Sequence, residues 1–98
     1  MKFVQTIEFT TTRYDEVAAV MDEWESSTAS THRPTRAWTT RDRDRANTYV
    51  QIVEFPSYDD AMKNSELPET DALAQKMMAL CDGPPIFRNL DVVREANL

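Results

Sequence analysis

The chain predicts an α+β fold in the order βαββαβ, and three observations carry that expectation. The stretch FVQTIEF at Phe3–Phe9 is echoed by YVQIVEF at Tyr49–Phe55, so that Gln5 matches Gln51 and Phe9 matches Phe55. Each copy then leads through a short polar connection into the same kind of helix start, Tyr14-Asp15 after the first and Tyr58-Asp59 after the second. Between the two halves, a threonine-rich segment turns through DRDRAN into the second copy, which is the pattern of a hairpin.

The elements follow in order. Phe3, Gln5, Ile7 and Phe9 share one face of a first strand, while Val4, Thr6 and Glu8 share the other. Tyr14, Val17, Met21 and Trp24 recur at spacings of three and four, which predicts an amphipathic helix over Tyr14–Ser27. Thr35–Arg41 reads as a second strand and Thr48–Phe55 as a third, with Tyr49, Gln51, Val53 and Phe55 on one face. SYDDAMKNS then forms a short helical turn. Pro68 starts a further helix, because proline suits a first turn and costs about 3 kcal/mol in an interior. Leu73, Met77 and Leu80 give that helix its apolar side, Gly83-Pro84-Pro85 stops it, and Ile86–Arg94 supplies the last strand.

Two βαβ halves joined by a hairpin make the ferredoxin-like arrangement, whose repeated strands lie side by side and antiparallel at the sheet centre. Helices cover one face of such a sheet and leave the other bare. A bare, partly apolar face asks for a partner, and a chain of 98 residues has little core of its own. Two sheets meeting face to face would make a dimeric α+β barrel from a single-domain subunit spanning residues 1–98, so a homodimer is expected.

Bulk properties narrow the function. A net charge of −6 disfavours affinity for phosphate backbones, so no nucleic-acid partner is expected. The basic cluster RPTRAWTTRDRDR contains two aspartates and reads as a solvated strand end and turn. No apolar run approaches the roughly 20 residues that span a bilayer, so no membrane association is expected. MKFVQTIEF lacks the apolar stretch of an export signal, and Cys81 stands alone, both of which fit a cytoplasmic protein. One cysteine, one histidine and one glycine leave no metal-site spacing, phosphate loop or nucleophile-base-acid set.

Several side chains could carry chemistry. Gln5 and Gln51 fall on otherwise apolar strand faces; as buried amides they either bond each other or the backbone, or line a ligand pocket. Trp24 continues the helix stripe, as core or as an aromatic pocket wall. The face of Trp38 is open between an interface and a pocket. His32, just past the first helix, is either an exposed loop residue or a base at a pocket mouth. Asn64, before Pro68, caps a helix or meets a ligand. Arg88 alternates with Ile86, Leu90 and Val92, for a salt bridge or an anionic substrate or enolate. Met62, Met77 and Met78 fill core or suit a flat apolar ligand.

The opening strand, the YDEVAAVMDEW helix, the VEF strand followed by SYDDAM, and the FRNLDVV strand together resemble the dimeric α+β barrel superfamily, and within it the antibiotic biosynthesis monooxygenase-like proteins. The likeness covers nearly the whole chain. It implies a small homodimer with a pocket between helices and sheet in each subunit, and oxidation of aromatic or enolisable substrates by molecular oxygen without a cofactor. In the haem-degrading branch, a histidine on the second helical region ligates iron; no histidine lies between Ser57 and Asp82 here, and Gln5 occupies the position of that branch's first-strand asparagine. The resemblance lets Trp24 or Trp38 supply an indole; with the side chains weighed above, an enzyme is expected to position an enolised substrate with Gln5, Trp24 and Arg88, with Gln51, Trp38, His32, Asn64 and Met77 around it. The other outcome is a non-catalytic dimer that binds a metabolite or assembles with partners.

Overall fold

The computed structural model describes residues 2–27 and 34–98. Its elements run β1 (Phe3–Thr10), α1 (Tyr14–Ser27), β2 (Arg36–Arg41), β3 (Thr48–Phe55), α2 (Tyr58–Ser65), α3 (Pro68–Leu80) and β4 (Ile86–Asp91). The strands form one antiparallel sheet in the order β2-β3-β1-β4, the ferredoxin-like arrangement read from the sequence.

The echo has a geometric meaning. β1 and β3 pair so that Thr6 lies in register with Ile52, its own counterpart in the repeat. A pseudo-twofold axis therefore passes between these two residues, and every other repeated pair is disposed about it. On the helix-facing side this makes two aromatic clusters: Phe9 stacks on Tyr49, and Tyr49 on Tyr14, while Phe3 meets Phe55 and the edge of Tyr58. Val17 and Met21 of α1 close over Phe9, and Ala61 of α2 closes over Phe3 and Phe55. Truncating a ring buried as deeply as Phe55 costs about 3–5 kcal/mol.

Local chemistry sets the helix ends. The Ser57 hydroxyl accepts from the Asp60 amide at 3.1 Å as the α2 cap, with Asp59 and Asp60 favourably placed at the positive end of the helix. Pro68 opens α3, and Gly83, at φ +83°, takes the left-handed conformation that lets the chain leave it. Thr11 is fully buried where β1, α1 and α3 converge. Its hydroxyl donates to the Leu80 carbonyl at 2.7 Å and accepts from the Arg13 amide at 2.9 Å. In the β2–β3 turn, Asp42 accepts from the amides of Asp44 and Arg45, which accounts for the arginine-rich segment as a solvated turn.

One expectation needs correction. β4 ends at Asp91 rather than Arg94, because Asp91 pairs with Phe3, the first residue of β1, and past it the Val92 amide donates to the Lys2 carbonyl at 3.0 Å, close to the start of the chain. Of the three methionines read as core or pocket, Met62 and Met77 pack against the two clusters and Met78 is 62% exposed. The other sheet face carries Val4, Val50, Ile52, Trp38, Ile86 and Leu90, which the register places together and no helix covers; Trp38, Ile86 and Leu90 are about half exposed. Among the described residues, no helix is long and apolar enough to cross a membrane.

Candidate functional site

Because the buried side chains fall into two clusters, the middle of the helix–sheet layer is not filled. A cavity of about 330 Å³ lies there. Its floor includes Gln5 and Ile7 of β1 with Gln51 and Val53 of β3, and its roof includes Trp24 of α1, Asn64 of α2 and Met77 of α3. Met78 and Phe87, both more than half exposed, also line it. Its wall is mainly apolar with a few amides, as in sites for small organic ligands. A smaller and more open groove between α1 and α3 runs beside Glu23 and Lys76, whose charges pair at 2.9 Å.

The glutamines occupy the cavity floor for a reason visible in the register. Gln5 is opposite Val53, and Gln51 opposite Ile7, so the repeat puts two amides diagonally across the sheet centre, where a larger apolar side chain would otherwise join the clusters. They do not bond each other. The Gln5 amide nitrogen donates to Asn89 Oδ1, at 3.2 Å, across the β1–β4 pair. Among the described residues, the Gln51 side chain has no hydrogen-bond partner.

Asn64 sits in the last turn of α2 with only 8% of its surface exposed. Its backbone carbonyl accepts from the amides of Glu66 and Leu67, but its buried Oδ1 has no partner among the described residues. The side chain therefore caps nothing. An orphaned buried amide oxygen costs about 1–3 kcal/mol. The Trp24 indole nitrogen donates to the Thr70 hydroxyl at 3.2 Å, which pins the end of α1 to the first turn of α3 and fixes the indole as wall. Cys81 packs beside the Phe9 cluster, and burial, helped by Asp82, raises its thiol pKa, so it stays protonated.

Of the residues singled out in the sequence, Gln5, Gln51, Trp24, Asn64 and Met77 share this cavity. Trp38 and Arg88 do not: the register puts them on the bare sheet face, Trp38 beside Ile52 and Arg88 beside Thr6. There, the Arg88 guanidinium lies 3.9 Å from Glu8, which also pairs with Arg45 at 3.1 Å. His32 and Arg33 lie outside the described residues. Asn89 and Thr70, the partners of Gln5 and Trp24, went unnoticed in the sequence; Asn89 was legible only as a polar residue alternating with Arg88, and its partner required the register. Among the described residues, no group of three or more His, Cys, Asp or Glu side chains could hold a metal ion.

No protein-family model matches the chain. No curated protein matches it by sequence. Solved structures do match. A Caulobacter crescentus CB15 protein assigned provisionally as an antibiotic biosynthesis monooxygenase superposes with a TM-score of 0.82 at 14% identity, over 95% of this chain and 91% of that one. SnoaB from Streptomyces nogalater, a cofactor-independent oxygenase, gives 0.80 at 19% identity, over 96% and 95%. A dimeric ferredoxin-like protein of unknown function from Jannaschia sp. CCS1 gives 0.78 at 12% identity, over 94% and 100%. The chain thus has the ferredoxin-like α+β fold of the antibiotic biosynthesis monooxygenase-like proteins.

Proposed function

We propose that the chain is a homodimer whose subunits each bind a small apolar or aromatic molecule in the central cavity, and that it is a cofactor-independent monooxygenase for an enolisable substrate. The observation that carries the pocket is the cavity of about 330 Å³ between helices and sheet, mainly apolar and bearing the amide residues Gln5, Gln51 and Asn64 in its wall. Of these, Gln51 has no side-chain partner among the described residues, and the Gln5–Asn89 bond holds Gln5 in place. The oxygenase reading is supported by the fold shared with SnoaB.

Such a reaction needs few protein groups. Deprotonation next to a carbonyl gives an enolate, whose oxygen the amide N–H group of Gln51 stabilises in a water-poor site. Oxygen then takes four electrons from the substrate: a methylene becomes a carbonyl, one oxygen atom enters the product and the other leaves as water with both hydrogens. Gln5 and Trp24 position the substrate, Gln5 from the floor and Trp24 as wall. Met77 supplies a polarisable contact for a flat ring. The dimer is supported by the bare apolar face, on which Glu8 and Glu54 already have cationic partners within the chain, and by the dimeric Jannaschia relative in fold. Arg88 belongs to that face in this reading.

The test is oxygen consumption with an enolisable fused-ring ketone such as 2-tetralone. Uptake that falls in Asn64→Ala and Gln51→Ala supports the oxygenase; unchanged uptake in both overturns it. Binding without uptake favours the second reading, a non-catalytic metabolite-binding dimer, which the same cavity also supports.

A further inference from the structure

Resting on the pocket reading above, we infer that Asn89 is a positioning residue that turns the acceptor end of Gln5 to the ligand, so that the cavity selects a molecule bearing a hydroxyl donor besides its ketone. Gln5 and Gln51 are equivalent in the repeat, and both stand in the cavity floor. Their neighbours on the outer strands make them unequal. Across from Gln5 on β4 stands Asn89, whose Oδ1 accepts from the Gln5 amide nitrogen at 3.2 Å. The counterpart of Asn89 about the pseudo-twofold axis is Thr39, across from Gln51 on β2, and its hydroxyl donates instead to Met21 Sδ at 3.9 Å.

A carboxamide has two arms of opposite character, a nitrogen that donates and an oxygen that accepts. With the nitrogen of Gln5 committed to Asn89, the oxygen on the other arm is the end left for a ligand. That oxygen has no partner among the described residues, and it is not sealed in the interior. Gln51 keeps both arms, and its N–H suits the carbonyl or enolate oxygen of the reading above. The lone pairs of the Gln5 oxygen repel an enolate oxygen, which assigns the enolate to Gln51 and a neutral hydroxyl to Gln5. Diagonal neighbours on paired strands lie roughly 7–8 Å apart, so a ligand that reaches both amides carries its two oxygens at opposite ends of a fused ring pair.

Strand chemistry alone does not call for Asn89. Asparagine is depleted in strands, and this one is exposed on the edge strand, where its side chain makes no other hydrogen bond among the described residues. The bond to Gln5 is what it contributes. A methyl ether in place of the ligand hydroxyl sets lone pairs against the Gln5 oxygen, and Gln5 turns over to meet it only if Asn89 gives up the bond or turns over as well.

The experiment is calorimetric titration of the full chain, under nitrogen to prevent turnover, with 6-hydroxy-2-tetralone and 6-methoxy-2-tetralone. The wild-type chain is expected to bind the hydroxy ketone about tenfold more tightly. In Asn89→Leu the Gln5 amide is free to turn, and the ratio falls to within about twofold. In Asn89→Asp the carboxylate still accepts from the Gln5 nitrogen and has no donor to turn to, so the ratio is kept. Because Asn89 is exposed, neither variant disturbs the core. Equal affinities in the wild-type chain, an unchanged ratio in Asn89→Leu, or a ratio lost in Asn89→Asp overturns the donor rule while leaving the pocket intact. Failure of both ketones to bind the wild-type chain overturns the pocket reading and the donor rule with it.

Discussion

Gln5 and Gln51 stand diagonally across the two central strands, Gln5 in register with Val53 and Gln51 with Ile7, related by the pseudo-twofold axis between Thr6 and Ile52. The repeat therefore does more than build two halves. It duplicates a polar position on the core face, separates the Phe3–Phe55 cluster from the Phe9–Val17 cluster, and leaves a cavity at the axis. A fold that packed its whole helix–sheet layer would bring those clusters together, so the amides trade packing for a cavity.

The orphaned amide predicts opposite effects on stability and binding. Asn64→Leu removes a buried unpaired polar group at similar volume, and should raise the urea midpoint, a gain of about 1 kcal/mol, while weakening ligand binding at least about tenfold. A fall in the urea midpoint would show that the amide has a structural partner after all.

Thr11 predicts the contrary pattern. Thr11→Val keeps the shape and deletes both hydrogen bonds, leaving the Leu80 carbonyl and the Arg13 amide without that partner in a buried corner, so unfolding stability should drop by about 2–3 kcal/mol. Chemical denaturation measures it directly, and ligand binding below the transition should be unchanged.

The bare sheet face predicts the assembly. Native mass spectrometry should give twice the 11.3 kDa chain mass for the wild-type protein, and the single chain for Trp38→Glu/Leu90→Glu, which places two carboxylates among apolar neighbours. A wild-type monomer would undo the barrel.

The ion pairs predict the acid limb of stability. The hydrogen bond from Thr35, aided by Lys2, holds the Glu54 carboxyl below its ordinary value of 4.5, and the hydrogen bond from Arg45, aided by the Asp44 amide, holds Asp42 below 3.8. Depressed folded-state values stabilise the fold above the unfolded-state values, and that contribution fades as pH falls through the folded ones. The melting temperature should be flat from about pH 7 to about pH 5 and decline below about pH 4, modestly, since these groups are solvated. A melting temperature that rises on acidification over the lower range would contradict the sign.

The elements were legible because local signals agreed: the α1 stripe, Pro68 at a helix start and Gly83 at its end fall where the spacing placed them. Faces were harder. Ile86, Arg88 and Leu90 alternate as a core face does, yet they lie on the side that no helix covers, while Phe87 lines the cavity and Asn89 bonds Gln5. A sheet that meets helices on one side and offers an apolar surface on the other carries hydrophobic residues on both, so alternation marks two faces without saying which is which. Only the β1–β4 register decides that. Trp38 was open for the same reason.

The central claim, that the cavity is a ligand site built from amides, is tested most directly by the side-chain amide signals in a nitrogen–proton correlation spectrum during titration with 2-naphthol. The account predicts that the Asn64, Gln51 and Gln5 signals move together and saturate, while Asn47, Gln75 and Asn97, which lie outside the cavity wall, stay still. Signals that all remain fixed, or that move only at residues outside the cavity, would contradict it.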